Sequence, residues 1–266
     1  DRFLDSIKEF ENTFFALIAS QQKIKDELSA DFSDGKLDEN HHLNEETKHA
    51  SGNNLFKEAA VVLKKLYAFC ARESFVINLH PDKDLQFAKT NEERKQIIKT
   101  YSEDLAISNM GFNEILFNSV KGQKDELYRC KAIYFLFFIH YSSTIGHYCR
   151  HLYHILKYID QAQLDILIMV RNNFDGEERR DKMMEVSKRF KRYTAFLQSG
   201  LSSSEMCILF YNSLIYPKAR KLYLRYNLLE NLLDIHLIKS EHKNLVKGFH
   251  CKSPDRMIAE FLTMKE

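Results

Sequence analysis

The stretch from Lys131 to Asp160, KAIYFLFFIHYSSTIGHYCRHLYHILKYID, constrains the fold of this chain most. Read as one helix, it carries Tyr134, Phe135, Phe138, Ile139, Ile145, Leu152 and Leu156 around most of its surface. A helix that is apolar nearly all round is a buried helix, so the centre of the fold is expected here, over about 125–159. One side departs from that pattern. His140, His147, His151 and His154 follow one another at intervals of 7, 4 and 3 residues. At about 100° per residue those offsets fall within about 60° of one another. Tyr158 continues the row.

The rest of the chain supports long helices. Only 8 glycines and 3 prolines occur in 266 residues, well below the usual share of about 7% and 5%. Residues 2–29 place Phe3, Ile7, Phe10, Phe14, Leu17, Gln21, Ile24 and Leu28 on a 4-3-4-3 seam. Leu4, Phe15 and Ile18 widen it, which favours packing in a bundle over a two-stranded coiled coil. A dimer through residues 3–28 is the alternative use of that seam. Residues 31–53 are polar and aperiodic, and read as a long loop containing His41, His42 and His49. Helices are expected over 55–72, 91–105, 112–120 and 161–172, with an extended connector at 73–86.

Later signals are sharper. Asp175, Gly176, Glu177 and Glu178 open a helix that ends at Ser199, with Gly200 as its stop. Ser202 and Glu205 form a capping box flanked by Leu201 and Met206 as a hydrophobic staple. The helix after it ends before Pro217, another is expected over 218–238, and a short one from about Pro254. The expected fold class is all-α: an irregular multi-helix bundle, one helical domain spanning 1–266.

Bulk electrostatics are mild. The net charge is +2 and the sequence pI about 8.2, which gives no general drive toward nucleic acid. The five cysteines, Cys70, Cys130, Cys149, Cys207 and Cys251, form no CxxC pair and read as buried reduced thiols. No run of about 18 apolar residues is present. The chain begins at Asp1 with a helix already under way, so a segment upstream is expected.

The sequence contains no GxxxxGK[ST] loop, GxGxxG turn, GxSxG elbow or HExxH helix. No cofactor and no metal are therefore assigned. The histidine row can serve hydrogen bonding within a bundle, proton transfer near neutral pH, RNA contact or, as the least favoured use, a metal shared by His147, His151 and His154. Arg150 adds a fixed cation beside His151 and His154. Helical ribonucleases of the HEPN superfamily use an arginine and a histidine in an Rx4-6H pattern. Arg150 to His154 is Rx3H, one residue shorter.

Three blocks together resemble a known family. They are FENTFFALIASQQKI (Phe10 to Ile24), IGHYCRHLYHILKYID (Ile145 to Asp160) and RYTAFLQSGLSSSEMCILFYNSL (Arg192 to Leu214). Their order and wording are similar to the AbiC-like phage abortive infection family, with Cys149 where an aromatic is usual. Arg150, His151, Tyr153, His154, Glu205, Tyr211 and Asn212 fall on the family's recognisable positions. The resemblance implies bacterial defence against phage, and members often carry one or two membrane helices before the first block. The expected role is a helical sensing or interaction domain tethered to the cytoplasmic side of the inner membrane. Its trigger would be a phage or host protein, and His147, Arg150, His151, His154, Glu205 and Asn212 are its binding candidates. The alternative is a HEPN-like ribonuclease acting on RNA, with Arg150 and His154 as catalytic candidates.

Overall fold

A computed structural model describes residues 2–33, 36–37, 43–44, 47–70, 89–95, 120 and 123–249. The chain divides into two compact units. The first combines residues 1–28 with 145–266, and the second is residues 29–144. Among the described residues there are seven α-helices of nine residues or more and two separate two-stranded sheets. The fold is all-α in class, with the strands a minor addition.

In the first unit, α1 (Arg2–Glu27) turns Phe3, Ile7, Phe10 and Phe14 inward. Phe10 packs at 5.4 Å from Tyr158, 4.7 Å from Phe190 and 4.9 Å from Tyr193. The seam thus fills the core of its own unit. Those partners come from α4 (Ile145–Asn173) and α5 (Gly176–Ser199). The unit continues with α6 (Ser203–Ile215), α7 (Pro217–Arg225) and two 3-10 turns, Asp234–His236 and Ser240–Leu245. The α5 limits and the capping box of α6 agree with the sequence reading.

The expected helix over 218–238 stops at Arg225. Asn227 takes the left-handed conformation at φ 49°. Its N–H reaches Leu224 O at 3.3 Å, and Leu228 N–H reaches Tyr223 O at 3.0 Å. These two bonds make a Schellman motif with asparagine in the place glycine usually takes. Tyr223 and Leu228 are both fully buried, which seals the turn.

In the second unit, the described residues of the expected loop 31–53 lie in strands and in the start of a helix. Strand β1 (Ser29–Ser33) pairs antiparallel with β4 (Thr47–Ser51), and the short β2 (Lys36–Leu37) with β3 (Leu43–Asn44). Phe32 and Ala50 are buried, while the cross-strand pair Asp31 and His49 is exposed and bonded at 2.8 Å. Alternation of this kind suits a half-buried sheet. Helix α2 (Gly52–Cys70) packs on β1 and β4 and against α3 (Glu126–His140), and Phe56, Leu63, Leu66, Ile133 and Phe137 are buried. Asp125 caps α3 by accepting from Tyr128 N at 2.8 Å. Thr90 and Glu93 cap each other's backbone at the head of the helical residues 91–95. The expected elements at 73–86, 96–105, 112–119 and after Pro254, with His41, His42 and Cys251, lie outside the described residues.

The long central helix of about 125–159 is two helices. It breaks at Tyr141–Thr144, and the second part runs unbroken to Asn173. The run Ser142-Ser143-Thr144 explains the break. Hydroxyl side chains compete with the helix for backbone partners, and Ser142 Oγ donates to Ile139 O at 3.0 Å. At the other end nothing interrupts Asp160-Gln161-Ala162-Gln163, and Gln161 bonds Asp165 one turn on.

Candidate functional site

The break in the central helix divides the histidine row. His140 closes α3 in the second unit, where partial burial lowers its pKa below 6.5. His147, His151 and His154 remain together on α4. That helix buries Ile145, Tyr148, Cys149, Leu152, Ile155, Leu156 and Ile159 on its inner side. On the outer side His147, Arg150 and His154 are exposed, and His151 is half-buried. The row therefore runs along the margin where α4 meets α1. His151 Nδ1 lies 2.6 Å from Gln21 Oε1, and Tyr158 stacks on Phe10.

A carbonyl oxygen can only accept, so His151 Nδ1 carries the proton in that bond. Its Nε2 is then the unprotonated nitrogen of the neutral ring. Partial burial holds the His151 pKa below 6.5, and the neighbouring His147 and His154 push it the same way. The neutral ring prevails near pH 7 as a result. Arg150 supplies fixed positive charge nearby and works against the rise that burial imposes on the Tyr216 hydroxyl. Tyr153 stands half-buried beside His154, with ring centroids 5.4 Å apart. The exposed face thus combines a guanidinium, three imidazoles and two aromatic rings.

Behind this face lies a polar cluster that the sequence reading did not assemble. Glu205 is fully buried. Its carboxylate accepts from Lys25 Nζ at 2.9 Å, from Ser202 N at 2.8 Å and from the Tyr148 hydroxyl at 2.5 Å. Lys25 Nζ also reaches Gly200 O at 3.5 Å. Burial, then the Glu205 charge, raises the Tyr148 pKa well above 10, and the Gln21 amide offsets part of that rise. The same two causes push the Cys149 thiol up to about 12. Lys25, Glu205, Tyr148, Gln21 and His151 thus link α1, α4 and α6. With three donors on its carboxylate, Glu205 is a structural tie and is poorly placed to act as a base.

Asn212 is buried on α6, one position after the buried Tyr211. The Tyr211 hydroxyl lies 2.7 Å from His242 Nδ1 and accepts from Ile238 N at 2.9 Å, so it holds the two 3-10 turns against α6. The structure brings His147, Arg150, His151 and His154 to one surface. It puts Glu205 beneath that surface and leaves Asn212 in the interior. Gln21 and Lys25 were missed as partners. Their signal was two polar residues one turn apart beside the apolar stripe of the helix.

Residues 140–237 match the model of a family described as "Putative phage abortive infection protein". The match takes in α4 to α7, and with them Arg150, His154, Glu205 and Asn212. It covers well under half of the chain and does not include α1. Comparison with curated proteins and with solved structures gives no match. No described helix is long and apolar enough to cross a membrane.

Proposed function

We propose that this chain is the sensing or interaction domain of an anti-phage protein, held at the cytoplasmic side of the inner membrane by a segment upstream. The surface of His147, Arg150, His151 and His154 receives a phage or host protein. The observation that carries this reading is the outward placement of Arg150 and His154 on a helix whose inner side is tied down by Glu205. An exposed guanidinium flanked by imidazoles and Tyr216 offers bidentate donors to a partner's carboxylates and an aromatic edge for its apolar groups. Glu205 supports this surface from within through Tyr148.

Cleavage of RNA by Arg150 and His154 is the competing reading, and one experiment separates the two. Arg150→Ala and His154→Ala are placed in the full-length protein and tested for phage protection, with RNA integrity followed through infection. Both residues are exposed, so each change is expected to shift stability by no more than about 0.5 kcal/mol. Loss of protection, with RNA intact in the protected wild type, supports recognition. RNA fragmentation in the wild type that both variants abolish supports the ribonuclease. Full protection from both stable variants overturns the role of this surface.

A further inference from the structure

Helix α5 carries a second face, remote in chemistry from the histidine row. Arg179, Arg180, Met183, Met184, Lys188 and Lys191 recur at helical spacing and share one side. They line a shallow open trough of about 530 Å3, and no carboxylate is among its described lining residues. The acidic residues of α5, Glu177, Glu178, Asp181 and Glu185, are not among those lining residues. Glu185 pairs with Lys182 at 3.5 Å and with Arg189 at 3.4 Å. Arg179 pairs with Asp175 and donates to Phe174 O at 2.7 Å. Arg180, Lys188 and Lys191 are exposed and have no acidic partner among the described residues. Between them Met184 is 48% exposed and Met183 is half-buried.

We infer that this face docks on an anionic phospholipid surface. Cations spread along one side of a helix match a plane of phosphate groups, and their long stems keep the charge at headgroup level. Methionine is unbranched and adaptable, and two methionines among the cations suit shallow contact with the acyl boundary. A track for single-stranded RNA would set aromatic rings between the cations for base stacking. Here thioethers hold those places. The histidine row takes no part, so this inference and the proposed function stand or fall separately.

The test is vesicle co-sedimentation of the 266-residue chain. Vesicles are phosphatidylcholine alone, or the same lipid with about a third phosphatidylglycerol. The expected result is partition onto the anionic vesicles only, weakened by added salt. The triple change Arg180→Glu, Lys188→Glu and Lys191→Glu lowers that partition by at least about tenfold. Met184→Asp, at nearly constant cationic charge on the face, lowers it as well. A second triple variant, Lys157→Glu, Lys218→Glu and Lys221→Glu, has the same net charge and retains binding. Absence of wild-type partition, equal loss in both triple variants, or binding of single-stranded RNA in place of vesicles overturns the inference. Melting temperatures confirm that each variant is folded.

Discussion

Lys25 Nζ lies 2.9 Å from Glu205 Oε2 across 180 positions of sequence, with neither side chain more than 7% exposed. A buried ion pair offsets its desolvation cost only when its remaining hydrogen-bonding capacity is met. Glu205 meets that condition through Ser202 N and Tyr148.

Glu205→Ala leaves the Lys25 ammonium buried without its counter-charge. The expected cost is about 3–5 kcal/mol. Ser202→Ala removes one cap bond and costs about 1 kcal/mol. Lys25→Met combined with Glu205→Leu recovers part of the loss: no charge is left buried, while the Tyr148 hydroxyl and Ser202 N–H lose their acceptor. Urea denaturation of the three proteins measures this, and a Glu205→Ala cost equal to that of Ser202→Ala would show the pair to be solvated.

Asn227 holds the Schellman turn at positive φ. Asn227→Gly is expected to be neutral or slightly stabilising. Asn227→Val places a β-branched residue in the left-handed region and costs upward of about 1–2 kcal/mol. Equal melting temperatures for both variants would contradict the turn geometry.

His151 titrates below 6.5 because of burial and of His147 and His154. The unfolded chain therefore takes up this proton first, and ν_U exceeds ν_N in that window. Stability falls as pH drops through about 6.5, and goes on falling until the folded imidazole is also protonated. His140 adds a contribution of the same sign. Melting temperatures followed from about pH 8 to pH 5 are expected to decline, with a shallower slope in His151→Gln. An unchanged slope in that variant would remove His151 as a source.

Cys70, Cys130, Cys149 and Cys207 are buried, and burial pushes the Cys70 and Cys149 thiols up to about 12. Thiolates are the reactive species, so all four should resist iodoacetamide in the native protein at about pH 8. Peptide mass spectrometry reads this directly. Rapid native labelling of Cys149 would mean that α4 opens on that timescale.

What could be read in advance followed the range of each signal. The α5 limits and the Ser202–Glu205 box rest on contacts between near neighbours, and the local residues specify them. Two local signals were outweighed by apolar periodicity: Ser142-Ser143-Thr144, which breaks the central helix, and Asn227, which ends α7. The β1–β4 pairing joins short polar segments whose buried members among the described residues are Phe32 and Ala50, so little alternation marks it. The exposed seam was legible as a set of neighbours on one helix, but its exposure was not. The Lys25–Glu205 pair spans most of the chain, and no local pattern names a partner that distant. Only the two polar residues on the inner side of α1 pointed to it.

Unit one is split by unit two: α1 is made before residues 29–144, and its described partners Tyr158, Phe190, Tyr193 and Glu205 all follow them. On the ribosome, Lys25 emerges 180 residues ahead of Glu205, a wait of roughly ten to thirty-five seconds at ordinary elongation rates. For that interval the Phe3–Phe14 stripe of a newborn chain has no core to enter, while residues 29–144 are already complete in sequence. A cell making this protein must shelter the apolar face of α1 until its partners arrive. Any stall between the two units would leave that face exposed on an unfinished molecule.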